Sequence, residues 1–132
     1  MTPYTLRPIR PADKPVVERL LIESWGAARV DALALNTMID ASVLPGWLAE
    51  ADGRVVGLLT YTANDDLLDV ITINTYRNGL GIGAALLAKL DAPRIRVVTT
   101  EDNTHALNFY QRNGFRPTGV PHPRGVELIK SG

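Results

Sequence analysis

Two short stretches of the chain hold residues whose types and spacing suit chemistry. The first is Arg77-Asn78-Gly79-Leu80-Gly81-Ile82-Gly83-Ala84-Ala85-Leu86-Leu87. Its glycines allow positive φ and let the backbone pass close to a ligand. A helix that starts there leaves its first N–H groups unpaired and carries partial positive charge at that end. Together these features suit a phosphate or pyrophosphate. A plain strand-to-helix turn would need only one glycine. The second stretch is Asn103-Thr104-His105-Ala106-Leu107-Asn108-Phe109-Tyr110-Gln111-Arg112-Asn113-Gly114-Phe115, and Asn103 stands twenty residues after Gly83. Asn103 can cap a helix that Gly114 closes.

Two nucleotide classes compete for the glycine turn. Gly79-x-Gly81-x-x-Ala84 satisfies the dinucleotide fingerprint, and Glu101 stands twenty residues after Gly81, where that fingerprint places a ribose-binding acid. However, Thr75-Tyr76-Arg77-Asn78 separate the preceding strand from the first glycine, and too few units remain for a doubly wound sheet. A Walker loop is excluded, because no Gly-Lys-Ser/Thr follows.

The elements that must position these stretches are legible from periodicity. Tyr4 to Arg10 alternates like a strand, with Pro8 suggesting an edge. Asp13 is expected to cap a helix with Pro15 in its first turn; Val16, Val17, Leu20, Leu21 and Ser24 mark its face, and Gly26 its end. Ala32 to Met38 reads as a further helix. Trp47–Ala51 and Arg54–Ala63 form a hairpin around Asp52-Gly53, and Leu67–Asn74 follows as a third strand. A helix is predicted from Gly81 to Leu90, a strand over Ile95–Thr100, a helix over Thr104–Asn113, then strands over Phe115–Val120 and Val126–Lys130. A parallel crossover between Leu67–Asn74 and Ile95–Thr100 follows. The fold class is α+β, one domain over residues 1–132, with a mixed sheet flanked by helices on both faces.

Bulk properties narrow the function. The 132 residues are 45% hydrophobic and 21% charged, with fourteen basic residues against fourteen acidic, so the basic footprint of a nucleic-acid binder is missing. With no cysteine, thiolate metal sites and cysteine nucleophiles are excluded. His105 and His122 lack metal-ligand spacing, so no metal is expected. No apolar run suits a membrane span or signal peptide, and a cytoplasmic setting is expected. Edge strands at either end of the sheet could pair in a homodimer.

The two motifs together resemble the GNAT superfamily of N-acetyltransferases. Gly81 and Gly83 fill its Gln/Arg-x-x-Gly-x-Gly/Ala turn. Asn103, Ala106, Phe109, Tyr110, Gly114 and Phe115 fill its Asn-x-x-Ala-x-x-Phe-Tyr-x-x-x-Gly-Phe pattern. The usual Gln/Arg is Asn78 here, with Arg77 one place earlier. The connection from Leu87 to Ile95 is shorter than is usual in the family.

The resemblance implies two splayed parallel strands, Leu67–Asn74 and Ile95–Thr100, with the pantetheine arm of acetyl-CoA between them. Backbone groups near Thr72 and Ile73 would bond pantetheine. Asn78, Gly79, Leu80, Gly81, Ile82, Gly83 and Ala84 would cradle the pyrophosphate, and Asn103 would touch the cofactor as well as cap its helix. Tyr110 stands where the family often places the acid, and Asp69 near where many relatives carry a base. The expected activity is acetyl transfer from acetyl-CoA to an amine of a small molecule or protein. A non-catalytic CoA-binding sensor or docking module stays open, since it needs the cradle but neither Asp69 nor Tyr110.

Overall fold

A computed structural model describes residues 3–131. Its framework is a seven-stranded sheet. In chain order the strands are β1 (Thr5–Pro8), β4 (Gly46–Ala51), β5 (Arg54–Asn64), β6 (Leu67–Thr75), β7 (Arg94–Thr99), β8 (Arg116–Pro117) and β9 (Val126–Ser131). Their spatial order is β1-β4-β5-β6-β7-β9-β8. A separate two-stranded hairpin pairs β2 (Arg29–Ala32) with β3 (Thr37–Asp40). The helices are α1 (Lys14–Trp25), α2 (Ile82–Ala88) and α3 (Thr104–Arg112).

The meander β4-β5-β6 forms for local reasons. Asp52 and Gly53 both adopt positive φ, +54° and +73°, as the tight turn between right-twisted strands requires. β5 and β6 pair antiparallel, with Thr60 opposite Thr72 and Tyr61 opposite Val70. Ile71 is therefore an extra residue on β6, a bulge that bends the strand. Beside it the buried hydroxyls of Thr60 and Thr72 share a 2.6 Å hydrogen bond.

Two apolar layers cover the sheet. Val17, Leu20 and Leu21 of α1 pack with Val30, Ala41, Leu48 and Leu58 on one face. Ile82, Leu86 and Leu87 of α2 and Tyr110 of α3 pack with Leu59, Leu68, Val70, Ile95, Val97 and Phe115 on the other. Among the described residues, β6 and β7 are the one parallel pair, and the crossover between them carries α2 over the second face.

Three expectations need correction. Ala32 to Met38 is not a helix. Val30 and Ala32 are buried between exposed Arg29 and Asp31, a period of two that fits a strand. Asn36, at φ +53°, turns the chain after a single 3₁₀ turn at Leu33–Leu35. The strand expected over Phe115–Val120 shrinks to Arg116–Pro117; the Thr118 N–H still bonds the Glu127 carbonyl at 3.1 Å, and Gly119 then turns the chain away at φ +75°. Asp13 precedes α1 but makes no side-chain cap bond to it. Its carboxylate instead accepts from Arg7 Nη1 at 2.7 Å, Arg7 Nη2 at 2.8 Å and the Arg10 N–H at 2.7 Å. The Arg7 guanidinium, which also bonds Glu50, holds the Asp13 carboxyl down at about 2.

That pair ties edge strand β1 to the entry of α1, and its contribution follows the charge of Asp13. The folded-state pKa lies below the ordinary value of 3.8. The stabilisation is therefore present above that value and lost as pH falls through about 2. Asp13→Asn is expected to cost about 2 kcal/mol at pH 7 in urea unfolding, with the gap to wild type closing toward pH 2.

Candidate active site

The pairing of β6 with β7 covers only Leu67–Arg94, Leu68–Ile95 and Asp69–Arg96. Beyond Asp69 the two strands have no ladder between them, although β6 runs on to Thr75 and β7 to Thr99. Each keeps its outer neighbour, β5 and β9. Alternate backbone groups on their inner edges therefore face a gap and need a partner. The gap opens into a cleft of about 800 Å³ lined from β6 by Val70, Ile71, Ile73 and Thr75 and from β7 by Val97, Val98 and Thr99.

The glycine turn follows the open end of β6, and each glycine has its own reason. Gly79 and Gly81 have φ of +79° and +70°, and a Cβ at either would meet nothing within 4 Å, so the backbone faces open space. Gly83 is a packing glycine: a Cβ there would lie 2.9 Å from Phe109 Cζ, so α2 and α3 approach closely. The first bond within α2 runs from the Ala85 N–H to the Gly81 carbonyl. The N–H groups of Ile82, Gly83 and Ala84 precede it and have no acceptor within the helix. α2 is seven residues long, as the short connection to Ile95 requires.

Asn78, Gly79, Gly81, Ile82, Gly83, Ala84, Ile73 and Asn103 all line the cleft, as do Arg77 and Tyr110. Thr72 and Leu80 do not. The Thr72 hydroxyl is turned to Thr60, and the Leu80 carbonyl accepts from the Tyr4 hydroxyl at 3.1 Å. Asn103 caps α3, its Oδ1 accepting from the Ala106 N–H at 3.1 Å. Tyr110 is buried, tilted against Phe109 and edge-on to Phe115. Burial pushes its phenol up to about 12, so it carries its proton throughout the physiological range.

Asp69 is placed differently from the sequence expectation. It is buried outside the cleft lining, at the closed end of the strand split. Its two oxygens accept from Arg96 Nε at 2.5 Å and Nη2 at 3.0 Å, and Arg96 Nη1 reaches Glu127 at 3.3 Å. The parallel register sets Asp69 against Arg96, and no spacing in the sequence gives that register. Asp31, Leu33 and Ala34 of the β2–β3 hairpin and His105 and Arg112 of α3 also line the cleft, and no motif in the sequence gives any of them an individual role. The two α3 residues were within reach, since they share the second motif.

The cleft thus combines splayed parallel strands, a bulge on one of them and an open glycine turn at their mouth. Residues 45–117 match the profile of the acetyltransferase (GNAT) domain. A protein of Bacillus subtilis (strain 168), named uncharacterized protein YxbD, is 31% identical over 111 residues, which cover 78% of this chain and 69% of that relative. Arabidopsis thaliana Naa50, solved in complex with the bisubstrate analogue CoA-Ac-MVNAL, superposes with a TM-score of 0.73 at 19% identity, over 98% of this chain and 99% of that one. The PaiA N-acetyltransferase from Thermoplasma acidophilum, in complex with coenzyme A, gives 0.72 at 14% identity over 98% and 99%. The chain belongs to the GNAT family of acetyltransferases. Its class is that of the acetyltransferases.

The two kinds of glycine are separable by substitution. Gly81→Ala is expected to cost about 1 kcal/mol through positive φ alone. Gly83→Ala forces Phe109 to shift and is expected to cost about 1–3 kcal/mol. Urea unfolding of both variants measures the difference, and only Gly83→Ala should alter the near-ultraviolet signal of the aromatic cluster.

Proposed function

We propose that the chain transfers the acetyl group of acetyl-CoA to the amine of an acceptor, using the gap between β6 and β7 as its thioester channel. The observation that carries this reading is the strand split opening onto a glycine turn with unpaired N–H groups. Acetyl-CoA, when bound, supplies the acetyl thioester. The backbone near Thr72 and Ile73 would hold its pantetheine arm, since the inner edge of β6 lacks a strand partner there. The N–H groups from Gly79 to Ala84 would take the pyrophosphate, with Asn78 and Asn103 at the rim. Arg77, loosely held by Asp52 at 3.8 Å, is free to swing toward the phosphates in place of the family's usual residue.

In the reaction a neutral amine nitrogen bonds to the thioester carbon as the carbon–sulfur bond breaks. The amine sheds a proton to solvent in the open cleft. Tyr110 gives its phenolic proton to the departing sulfur and recovers one from solvent. Its high pKa keeps the donor loaded over the working range, at the cost of a weaker acid. Asp69 takes no part in this scheme; with Arg96 and Glu127 it clamps the closed end of the split.

Steady-state kinetics with a panel of primary amines tests the assignment. Tyr110→Phe is expected to lower kcat about 100-fold with little change in acetyl-CoA affinity. Asp69→Asn leaves Arg96 short of a partner and is expected to destabilise the fold by about 3 kcal/mol with kcat largely kept. A 100-fold loss in Asp69→Asn with full activity in Tyr110→Phe would reverse the two roles. Acetyl-CoA binding without turnover of any amine would favour a CoA-binding module.

A further inference from the structure

The side of the cleft beside the β2–β3 hairpin has a chemistry of its own. Its wall is apolar in Leu33, Ala34, Ile71 and Val98, with Trp25 at the end of α1. Trp25 is 53% exposed yet fixed, its indole N–H donating to Asn74 Oδ1 at 2.9 Å. Among the described residues lining the cleft, Asp31 is the one acidic side chain. The basic lining residues belong to the glycine turn (Arg77) and α3 (His105, Arg112).

The loop before β9 crosses to the same hairpin. Gly125 passes so close to the end of β7 that a Cβ would lie 2.3 Å from the Thr99 carbonyl oxygen. From this loop Arg124 Nη1 donates to Asp31 Oδ1 at 3.0 Å and to Asn36 Oδ1 at 3.3 Å, and Arg124 Nη2 donates to Asp31 Oδ2. His122 Nε2 lies 3.3 Å from the Ala34 carbonyl oxygen. This bridge joins the hairpin to the β7 side of the mouth, so a polypeptide laid across it would meet the loop. Arg124 places one N–H on each Asp31 oxygen, and each oxygen keeps a second lone pair for another donor.

Building on the acetyl-transfer reading above, we propose that the acceptor is a small primary amine with an apolar or aromatic body and no carboxylate. Its ammonium group docks on Asp31 and its body lies along Trp25 and Leu33, before the amine is deprotonated for attack. Asp31 is a specificity-determining residue, and Arg124 occupies one lone pair on each of its oxygens. A zwitterionic amino acid brings its carboxylate toward Asp31 and is disfavoured. A peptide amine needs the bridge to open.

The experiment compares 2-phenylethylamine, free phenylalanine and a phenylalanine-initiated tetrapeptide amide as acceptors. Calorimetry with acetyl-CoA is run first on the same protein. The amine is expected to be acetylated with a kcat/KM at least about tenfold above either rival, a difference of about 1.4 kcal/mol. Asp31→Asn is expected to raise the KM for the amine about five- to tenfold without moving that for acetyl-CoA. Arg124→Gln breaks the same bridge but keeps the carboxylate, so its KM for the amine should stay near wild type or fall. Equal effects of Asp31→Asn and Arg124→Gln would reduce Asp31 to a loop tether and overturn the proposal. So would preference for the peptide or the amino acid, or acetyl-CoA binding with no turnover of the amine. Absence of acetyl-CoA binding would instead overturn the reading of the cleft on which it rests.

Discussion

The parallel pairing of β6 with β7 stops after three residue pairs, and the rest of the site depends on that stop. A buried strand edge without a partner is costly, so the split must be held open by other parts of the fold. At the closed end Asp69, Arg96 and Glu127 bond side chain to side chain. At the open end the Ile71 bulge bends β6 while β7 stays zipped to β9. α2 and α3 then meet through Gly83 and Phe109 on one face, and the β2–β3 hairpin caps the other. The gap is thus built into the fold, with backbone donors and acceptors on its two inner edges. Pre-organisation of this kind spares a ligand the cost of ordering its own site.

The two faces of the split divide the labour. The glycine turn and the start of α3 offer N–H groups, asparagines and basic side chains to an anionic ligand end. The hairpin face offers apolar wall, one indole and one carboxylate. Tyr110 lies on the α2–α3 side, among aromatic neighbours that keep its phenol protonated. In the proposed scheme, a donor that stays protonated over the working range is suited to protonating the departing thiolate.

Much of this was legible in the chain. The glycine turn announces itself because three closely spaced glycines exceed the needs of a turn. Asn103 and Gly114 bracket α3 by cap chemistry, and the structure shows both ends where cap rules put them. The meander follows from the Asp52-Gly53 turn and from runs of β-branched and apolar residues on either side of it. The rest depended on long-range register. Asp69 reads as a free strand carboxylate until the parallel pairing sets Arg96 against it. Ala32-Leu33-Ala34-Leu35 has helical composition, but tertiary burial of Val30 and Ala32 and the left-handed Asn36 override it. The acceptor side was the least legible, because Asp31 and Arg124 stand 93 residues apart and neither belongs to a motif.

The most direct measurement of the central claim is amide hydrogen exchange with and without acetyl-CoA. Binding in the strand split predicts new protection of amides in residues 70–74 and 79–84, with β1 and the β4–β5 hairpin unchanged. Binding that protects neither segment, or protects only the β1–β4 edge, would contradict the assignment of the split as the co-substrate channel.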